Sequence, residues 1–289
     1  MLLGIDGNVL TTDGDIRVRD SSQTERLAIG TPGSTLKTIG GNSIWQDFGT
    51  VAKVFYVAPN GVDSNTSGST VNAPFATIKY ACDYVNADWA NRAPATIFIT
   101  AGVYNEIIPI AIPASTTLVG DELRSVTIQP NVGLEANNMF YVSNAAGVRN
   151  LTLQGLVGTL GDQNSYGTKR PVSGAYISLN PGSGVADTSV HITTRSPYVQ
   201  NVTTFGTKCV GIKIDGALHN AGNKSIVAND FTQILDDGIG AWATNNGRAE
   251  LVSVFTYYNH IGYLSDSCLL YTSDAADDLL CVDLGGRRI

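Results

Sequence analysis

The chain has 289 residues, 43% of them apolar, and a formal net charge of −7 at pH 7. The negative charge argues against nucleic acid as a partner, because phosphate binding requires a basic face. No apolar run reaches membrane-spanning length, and 31 glycines with only 15% charged residues favour a turn-rich β protein.

The first 50 residues are short, glycine-punctuated segments in which apolar and polar side chains alternate. Alternation with a period of two predicts β-hairpins, and the apolar residues are too sparse for a core of their own. The run from Gly30 to Trp45, GTPGSTLKTIGGNSIW, resembles the repeat of phage tail-fibre shafts. We therefore expect residues 1–50 to be a shaft or attachment segment that needs partner chains, with an N-terminal linker as the alternative.

A short helix is predicted after residue 77. A strand over residues 54–57 leads into a polar turn and Pro74-Phe75, and Thr77 is a candidate N-cap. The helix is amphipathic because its apolar residues recur at i, i+3, i+4 and i+7, namely Ile78, Ala81, Cys82 and Val85.

This stretch, FYVAPNGVDSNTSGSTVNAPFATIKYACDYV, resembles the first-coil unit of pectate-lyase-like β-helix proteins. The segment ATIFITAGVY at residues 95–104, completed by Asn105 and Glu106, resembles the strand that follows in that family. The resemblance implies an all-β fold, a right-handed parallel β-helix. A short helix would cap the open edge of its first coil.

Four later segments align with one another: residues 148–155 (VRNLTLQG), 199–206 (VQNVTTFG), 227–234 (VANDFTQI) and 251–258 (LVSVFTYY). We expect the first gap to hold two turns, with GAYISLN at residues 174–180 as the missing strand. Such spacing predicts one β-solenoid from residue 54 to 267. We expect the aligned polar residues to stack at a corner between sheets, and these are Asn150, Asn201, Asn229 and Ser253.

Residues 268–289, CLLYTSDAADDLLCVDLGGRRI, resemble the translation of a sequencing adapter with a variable index in its middle. We therefore expect an artefact tail outside the β-helix and a natural sequence that continues beyond Ser267. The alternative is a short acidic C-terminal tail. Without this tail only Cys82 and Cys209 remain, and their apolar contexts predict buried free thiols.

Motifs for chemistry are sparse. The sequence has no glycine-rich phosphate loop, and its histidines lack metal-ligand spacing, so we expect no metal and no cofactor. Asp236 and Asp237, in ILDDGIGAW, are weak catalytic candidates because polysaccharide-cleaving β-helices carry carboxylates on their outer faces. However, adjacent strand residues point to opposite faces, and Asp-Gly is an ordinary turn signal with glycine in the left-handed position. We therefore favour a turn.

An aromatic set near the end of the chain is a candidate glycan-binding surface, because ring faces stack on sugars as readily as on one another. Stacking between coils or burial at a trimer interface is the alternative interpretation. The set consists of Trp242, Tyr257, Tyr258 and Tyr263.

The resemblance implies a structural or receptor-binding component of a phage virion, a tail fibre or tailspike, made in the cytoplasm of a bacterial host and located in the tail. Its implied partners are further copies in a homotrimer, other tail proteins and host surface polysaccharide. The alternative function is a polysaccharide lyase or glycoside hydrolase of pectate-lyase-like fold, and a third is a bacterial surface adhesin. Whether the chain is an enzyme stays open, and the sparse chemistry favours binding without cleavage.

Overall fold

The computed structural model describes residues 16–19, 24–28, 34–39, 42–47, 53–163, 169–171, 174–180, 196–218, 225–265 and 271–273. The chain divides into two compact units, Met1–Val51 and Ala52–Ile289. In the first unit, β1 (Ile16–Arg19) pairs antiparallel with β2 (Thr24–Leu27), and β3 (Ser34–Ile39) pairs antiparallel with β4 (Asn42–Asp47). The predicted N-terminal hairpins are confirmed.

The second unit contains two short helices, α1 (Ile78–Ala87) and α2 (Trp89–Arg92), and strands that recur along the chain. The strands are β5 (Lys53–Val57), β6 (Ala95–Ile99), β7 (Gly102–Glu106), β8 (Ile110–Ala111), β9 (Thr116–Gly120), β10 (Val126–Pro130), β11 (Phe140–Val142), β12 (Gly147–Val157), β13 (Leu160–Gln163), β14 (Lys169–Pro171), β15 (Ala175–Leu179), β16 (Tyr198–Thr207), β17 (Val210–Asp215), β18 (Ser225–Asp236), β19 (Ile239–Thr244), β20 (Arg248–Tyr257), β21 (Ile261–Ser265) and β22 (Tyr271–Ser273).

Two parallel sheets are built from these strands. The larger has ten strands, in the order β22-β20-β18-β16-β12-β9-β6-β5 with β10 and β7 beside β12, and the smaller has the order β21-β19-β17-β15-β11-β8. Each strand of these two sheets pairs with its equivalent in the neighbouring coil, and the crossovers take the right-handed sense usual for parallel strands, whereas β13 and β14 form a separate antiparallel pair. The fold is a right-handed parallel β-helix, as predicted.

Left-handed residues bend the long strands of the larger sheet and divide it into two faces. Asn150, Asn201, Asp230 and Ser253 have φ values of 56°, 52°, 50° and 50°. Face 1 consists of β5, β6, β9, β22 and the parts of β12, β16, β18 and β20 before these residues. Face 2 consists of β7, β10 and the parts after them, and face 3 is the smaller sheet. Asn and Asp suit this corner because their short polar side chains tolerate left-handed backbone.

The core is a stack of apolar side chains that repeat once per coil. Every second residue of a strand points inward, as the alternating burial of β6 and β9 shows. Burying each aliphatic side chain stabilises the fold by roughly 1.5–3 kcal/mol. On face 1 the buried column, joined by the strand register, is Ile97, Leu118, Val148, Val199, Ala228 and Leu251.

Helix α1 lies over the first coil as predicted. Its N-cap is Thr77, whose side chain accepts a hydrogen bond from the Tyr80 backbone N–H, and it contacts strands of all three faces, β5 to β8. This contact covers the open edge of the solenoid. The buried residues are those that the sequence predicted, Ile78, Ala81, Cys82 and Val85. Among the described residues, no helix is both long and apolar enough to cross a membrane.

Two carboxylates hold the start of α1. The backbone N–H groups of Ile78 and Lys79 donate to Glu106 at 2.7 and 3.1 Å, and Asp63 accepts from the backbone N–H groups of Ala76 and Thr77 at 2.8 and 3.1 Å. These acceptors satisfy donors that a helix N-terminus leaves without intrahelical partners. The acidic residues of the first-coil signature therefore act in helix capping.

Two sequence expectations about strand order are corrected. The segment at 95–104 is not one strand: it divides at Thr100 between β6 on face 1 and β7 on face 2. The gap between Asn150 and Asn201 holds one coil rather than two, because β12 pairs directly with β16, and GAYISLN forms β15 on face 3. Extra residues between two strands of a solenoid leave the stack of strands unchanged. The spacing of the aligned segments therefore overestimated the number of coils.

The position of Asn229 is also corrected. It lies opposite Gln200, one residue before the corner, and Asp230 takes the left-handed conformation instead. The register follows the core, since buried Ala228 and Phe231 lie opposite buried Val199 and Val202. Apolar packing therefore decides which polar residue forms the corner.

Strand pairing continues beyond residue 267, where the sequence placed the end of the β-helix. β22 pairs parallel with β20, with Tyr271 opposite Ala249. The unpaired edge of a last coil offers backbone donors and acceptors to whatever segment follows it. The rest of the adapter-like segment lies outside the described residues.

Candidate functional site

The two carboxylate candidates lie at a turn between faces 2 and 3. Asp236 ends β18, and Asp237 follows with a left-handed φ of 56° and donates its backbone N–H to the Tyr258 carbonyl at 3.2 Å. The sequence predicted that the glycine takes the left-handed conformation. This prediction is wrong, because Asp237 itself adopts that conformation. Gly238 is needed for space, because a Cβ there would lie 2.4 Å from the Cys209 carbonyl oxygen.

The side chain of Asp237 lies beside an imidazole. His260 Nδ1 lies 3.4 Å from Asp237 Oδ1, and both side chains are about half exposed. Within the part of the chain that the structure describes, no three His, Cys, Asp or Glu side chains are grouped to hold a metal ion. Cys82 and Cys209 are buried free thiols, as predicted, and burial raises the pKa of both.

The four aromatic candidates lie on different surfaces. Trp242 is on face 3, where the Lys213 ammonium lies 4.8 Å from its ring centroid. The Tyr263 hydroxyl donates to the Val254 carbonyl at 2.8 Å, across the last described coil. Tyr257 and Tyr258, 49% and 82% exposed, lie at the end of face 2 and in the following turn. The structure does not bring these rings into one surface.

The outer side of face 1 carries two continuous rows of side chains, one from each coil at strand spacings of about 4.8 Å. Apart from Gly147, which is buried, their members are exposed or half-exposed. The first row consists of Val54, Thr96, Thr117, Gly147, Tyr198, Val227 and Glu250. The second row consists of Tyr56, Phe98, Val119, Arg149, Gln200, Asn229 and Val252.

Arg149 and Tyr198 meet in the middle of these rows. The guanidinium carbon lies 5.5 Å from the ring centroid, within the range of a cation–π contact. Gly147, directly opposite Tyr198, has no side chain to separate them. A Cβ at Gly147 would also lie 2.8 Å from two side-chain atoms of Thr117. The N-terminal end of the same rows is aromatic, with Tyr56 and Phe98 in an edge-on contact at 6.2 Å.

The corner residues border face 1 as a polar ladder. Asn201 Nδ2 donates to Asn150 Oδ1 at 3.1 Å, which confirms the predicted stacking for this pair. The bond leaves the Nδ2 donor of Asn150 and the Oδ1 acceptor of Asn201 for other groups. Asp230 and Ser253 continue the ladder and are exposed.

Face 1 carries exposed side chains of both charges. Arg149 is exposed in β12, whereas the exposed carboxylates Asp230 and Glu250 belong to β18 and β20. The sequence prediction missed both Arg149 and Tyr198 as site residues. The repeat indicates that Arg149 points outward, because the residue before each corner Asn does so. No spacing in the sequence, however, predicts that Arg149 and Tyr198 are neighbours.

Three comparisons with known proteins bear on this chain. A family model described as "Protein of unknown function (DUF1565)" matches residues 59–266. Among solved structures, "Pectin methylesterase PemA from Erwinia chrysanthemi" is similar with a TM-score of 0.35 and 17% identity, over 71% of this chain and 56% of that chain. This chain therefore spans about half of that protein's length. No curated protein matches.

Proposed function

Because this chain belongs to the DUF1565 family, whose function is unknown, we propose from its surface that it is a glycan-binding component of a phage virion tail. Its ligand is an extended polysaccharide of the host surface that lies along face 1. The chain binds this ligand without cleaving it.

The observation that carries this proposal is the pair of outward rows on face 1. They combine aromatic rings at Tyr56, Phe98 and Tyr198 with the amides of Gln200 and Asn229. Rings stack on the apolar faces of sugars, and amides donate to and accept from sugar hydroxyls. Repetition at every coil suits a polymer with repeated weak contacts.

The virion role rests on the N-terminal segment. The run Gly30 to Trp45, which includes β3 and most of β4, resembles the shaft of phage tail fibres in sequence, and the hairpins β1–β2 and β3–β4 are short enough to need partner chains. We propose that this segment joins three copies and attaches them to other tail proteins. Three parallel glycan-binding faces would raise the avidity well above that of a single face.

An enzymatic function is the second candidate. Glycoside cleavage requires two carboxyl groups, roughly 5–9.5 Å apart, that face one bond of the sugar chain. The observation that favours it is the contact of Asp237 with His260 at 3.4 Å beside the turn between faces 2 and 3, but this contact supplies one carboxyl group and not two. That turn lies away from the rings of face 1, so binding is the stronger proposal.

The test is retention of host surface polysaccharides by the purified chain, together with release of reducing ends or unsaturated products. We expect retention without release. Tyr198→Ala should weaken retention by roughly tenfold, as expected for the loss of one ring contact of about 1.4 kcal/mol. Phe255→Ala, which removes an exposed ring from face 2, is the matched control. Product release that disappears in Asp237→Asn would instead make the enzyme the leading function.

A further inference from the structure

We infer that the centre of face 1, at Arg149 and Tyr198, binds an acidic sugar residue, while the coils that follow bind neutral ones. The ligand class is then a heteropolysaccharide in which acidic residues are separated by neutral residues. This inference rests on the proposed function and specifies its ligand.

The first observation is the environment of Arg149. Its side chain is exposed, and its neighbours in the row, Val119 and Gln200, carry no charge. None of the ion pairs found among the described residues includes Arg149. The guanidinium group therefore keeps its N–H donors for a ligand, and its planar fork matches a carboxylate, sulfate or phosphate with two hydrogen bonds.

The second observation is the ring beneath the guanidinium. Tyr198 is half-exposed and lies 5.5 Å from the guanidinium carbon of Arg149. A sugar that stacks on this ring brings its ring substituents beside the cation. The two side chains together therefore recognise a pyranose that carries a negative charge, rather than a free anion.

The third observation concerns the following coils. Asp230 comes directly after Asn229, which lies two strands from Arg149 in the same row, at a separation of about 10 Å. Glu250 lies two strands from Tyr198 in the other row. Both carboxylates are exposed and repel an acidic sugar placed over them. The negative charge of a sugar bound at Arg149 lies about one screening length from these carboxylates, so salt weakens their repulsion.

A second cation on this side, Arg248, does not provide an equivalent site. Arg248 is exposed but lies two residues before Glu250 in β20, on the same side of the strand. Its charge is therefore offset by a carboxylate of its own strand, whereas β12 contains no carboxylate beside Arg149. Towards the other end of the face, Val119 and Phe98 offer only uncharged contacts.

The test compares three probes on the full chain. Gellan has one acidic residue in each four-residue repeat, polygalacturonate has an acid on every residue, and dextran is neutral. We expect retention to be strongest for gellan. Arg149→Gln should lower gellan retention at least tenfold and leave dextran retention unchanged. The matched control Arg248→Gln should change neither, and a double variant Asp230→Asn with Glu250→Gln should increase polygalacturonate retention.

The outcomes separate the inference from the proposed function. If the native chain retains these polymers but Arg149→Gln and Arg248→Gln behave like it, the acidic-sugar site is wrong and glycan binding stands. If the native chain retains none of the three polymers and no host surface polysaccharide, glycan binding itself is wrong. Thermal melts of each variant confirm that a loss of retention is not a loss of fold.

Discussion

Glu106 makes the folded state sensitive to pH. Its carboxylate is 1% exposed, and this burial raises its pKa from 4.5 to about 7, although the bonds from Ile78 and Lys79 act in the opposite direction. The folded state therefore binds this proton more tightly than the unfolded state does. The resulting stability is fully present below about pH 4.5 and is lost as the pH rises to about 7.

We expect Glu106→Gln to remove that pH dependence. At about 1.4 kcal/mol per pKa unit, the native chain should lose on the order of 3 kcal/mol more than the variant between pH 4.5 and pH 8. Urea unfolding at both pH values measures this. Asp83→Asn, on the exposed side of α1, is the control and should leave the slope unchanged. An equal slope in Glu106→Gln would show that another group is responsible.

Asn201 has two structural roles, one in the left-handed backbone of the corner and one in the polar ladder of side chains. It has a φ of 52° and donates to Asn150. We expect Asn201→Ala to destabilise the fold by about 1–2 kcal/mol, because alanine is strained in left-handed backbone and loses the bond. Asn201→Gly should cost less, since glycine has no Cβ. Equal losses in the two variants by chemical denaturation would contradict the backbone explanation.

At the scale of elements, the first-coil unit depends on Phe75. Its ring is fully buried and contacts Phe55, Tyr80 and Tyr84 at centroid distances of 5.1–6.4 Å. A Cβ at Gly68 would lie 2.0 Å from the Phe75 ring, so this glycine of the signature makes space for it. We expect Phe75→Ala to lower the free energy of unfolding by roughly 3–5 kcal/mol. Val62→Ala, at a 63% exposed position, is the control for denaturant unfolding.

The contact between faces 2 and 3 contains a buried amide. Gln233 is fully buried against Gly211 and Gly240, and neither of its amide atoms has a hydrogen-bond partner among the described residues. We expect Gln233→Met, which is close in volume, to raise the free energy of unfolding by about 1 kcal/mol because it removes that desolvation cost. Gln200→Met, on the outer side of face 1, is the control. A destabilised Gln233→Met would show that the amide is satisfied in solution.

At the scale of the molecule, stability is a sum over neighbouring coils. β22 contributes three paired residues at the edge of face 1, against nine paired positions between β18 and β20. We therefore expect a chain that ends at residue 267 to melt within about 3 °C of the full chain. A drop of ten degrees in calorimetry would make the adapter-like segment an integral coil.

The local structure could be predicted from the sequence. Alternating apolar residues specified the strands, and the spacing from Ile78 to Val85 with Thr77 as N-cap specified α1, because these patterns report which side of one element is buried. The repeats specified a solenoid because each coil must bury its apolar side against the next. The strands and the helix depend on residues within one coil, and the solenoid depends on the recurrence of one pattern from coil to coil.

Tertiary structure alone decided which residues are neighbours between coils. Packing of Ala228 and Phe231 placed Asp230 rather than Asn229 at the corner, and direct pairing of β12 with β16 brought Arg149 to Tyr198. The long segment between β12 and β16, which contains β13, β14 and β15, conceals this adjacency, because the entropy cost of closing a segment rises only slowly with its length. The candidate site therefore exists only once the core has set the register of the sheets.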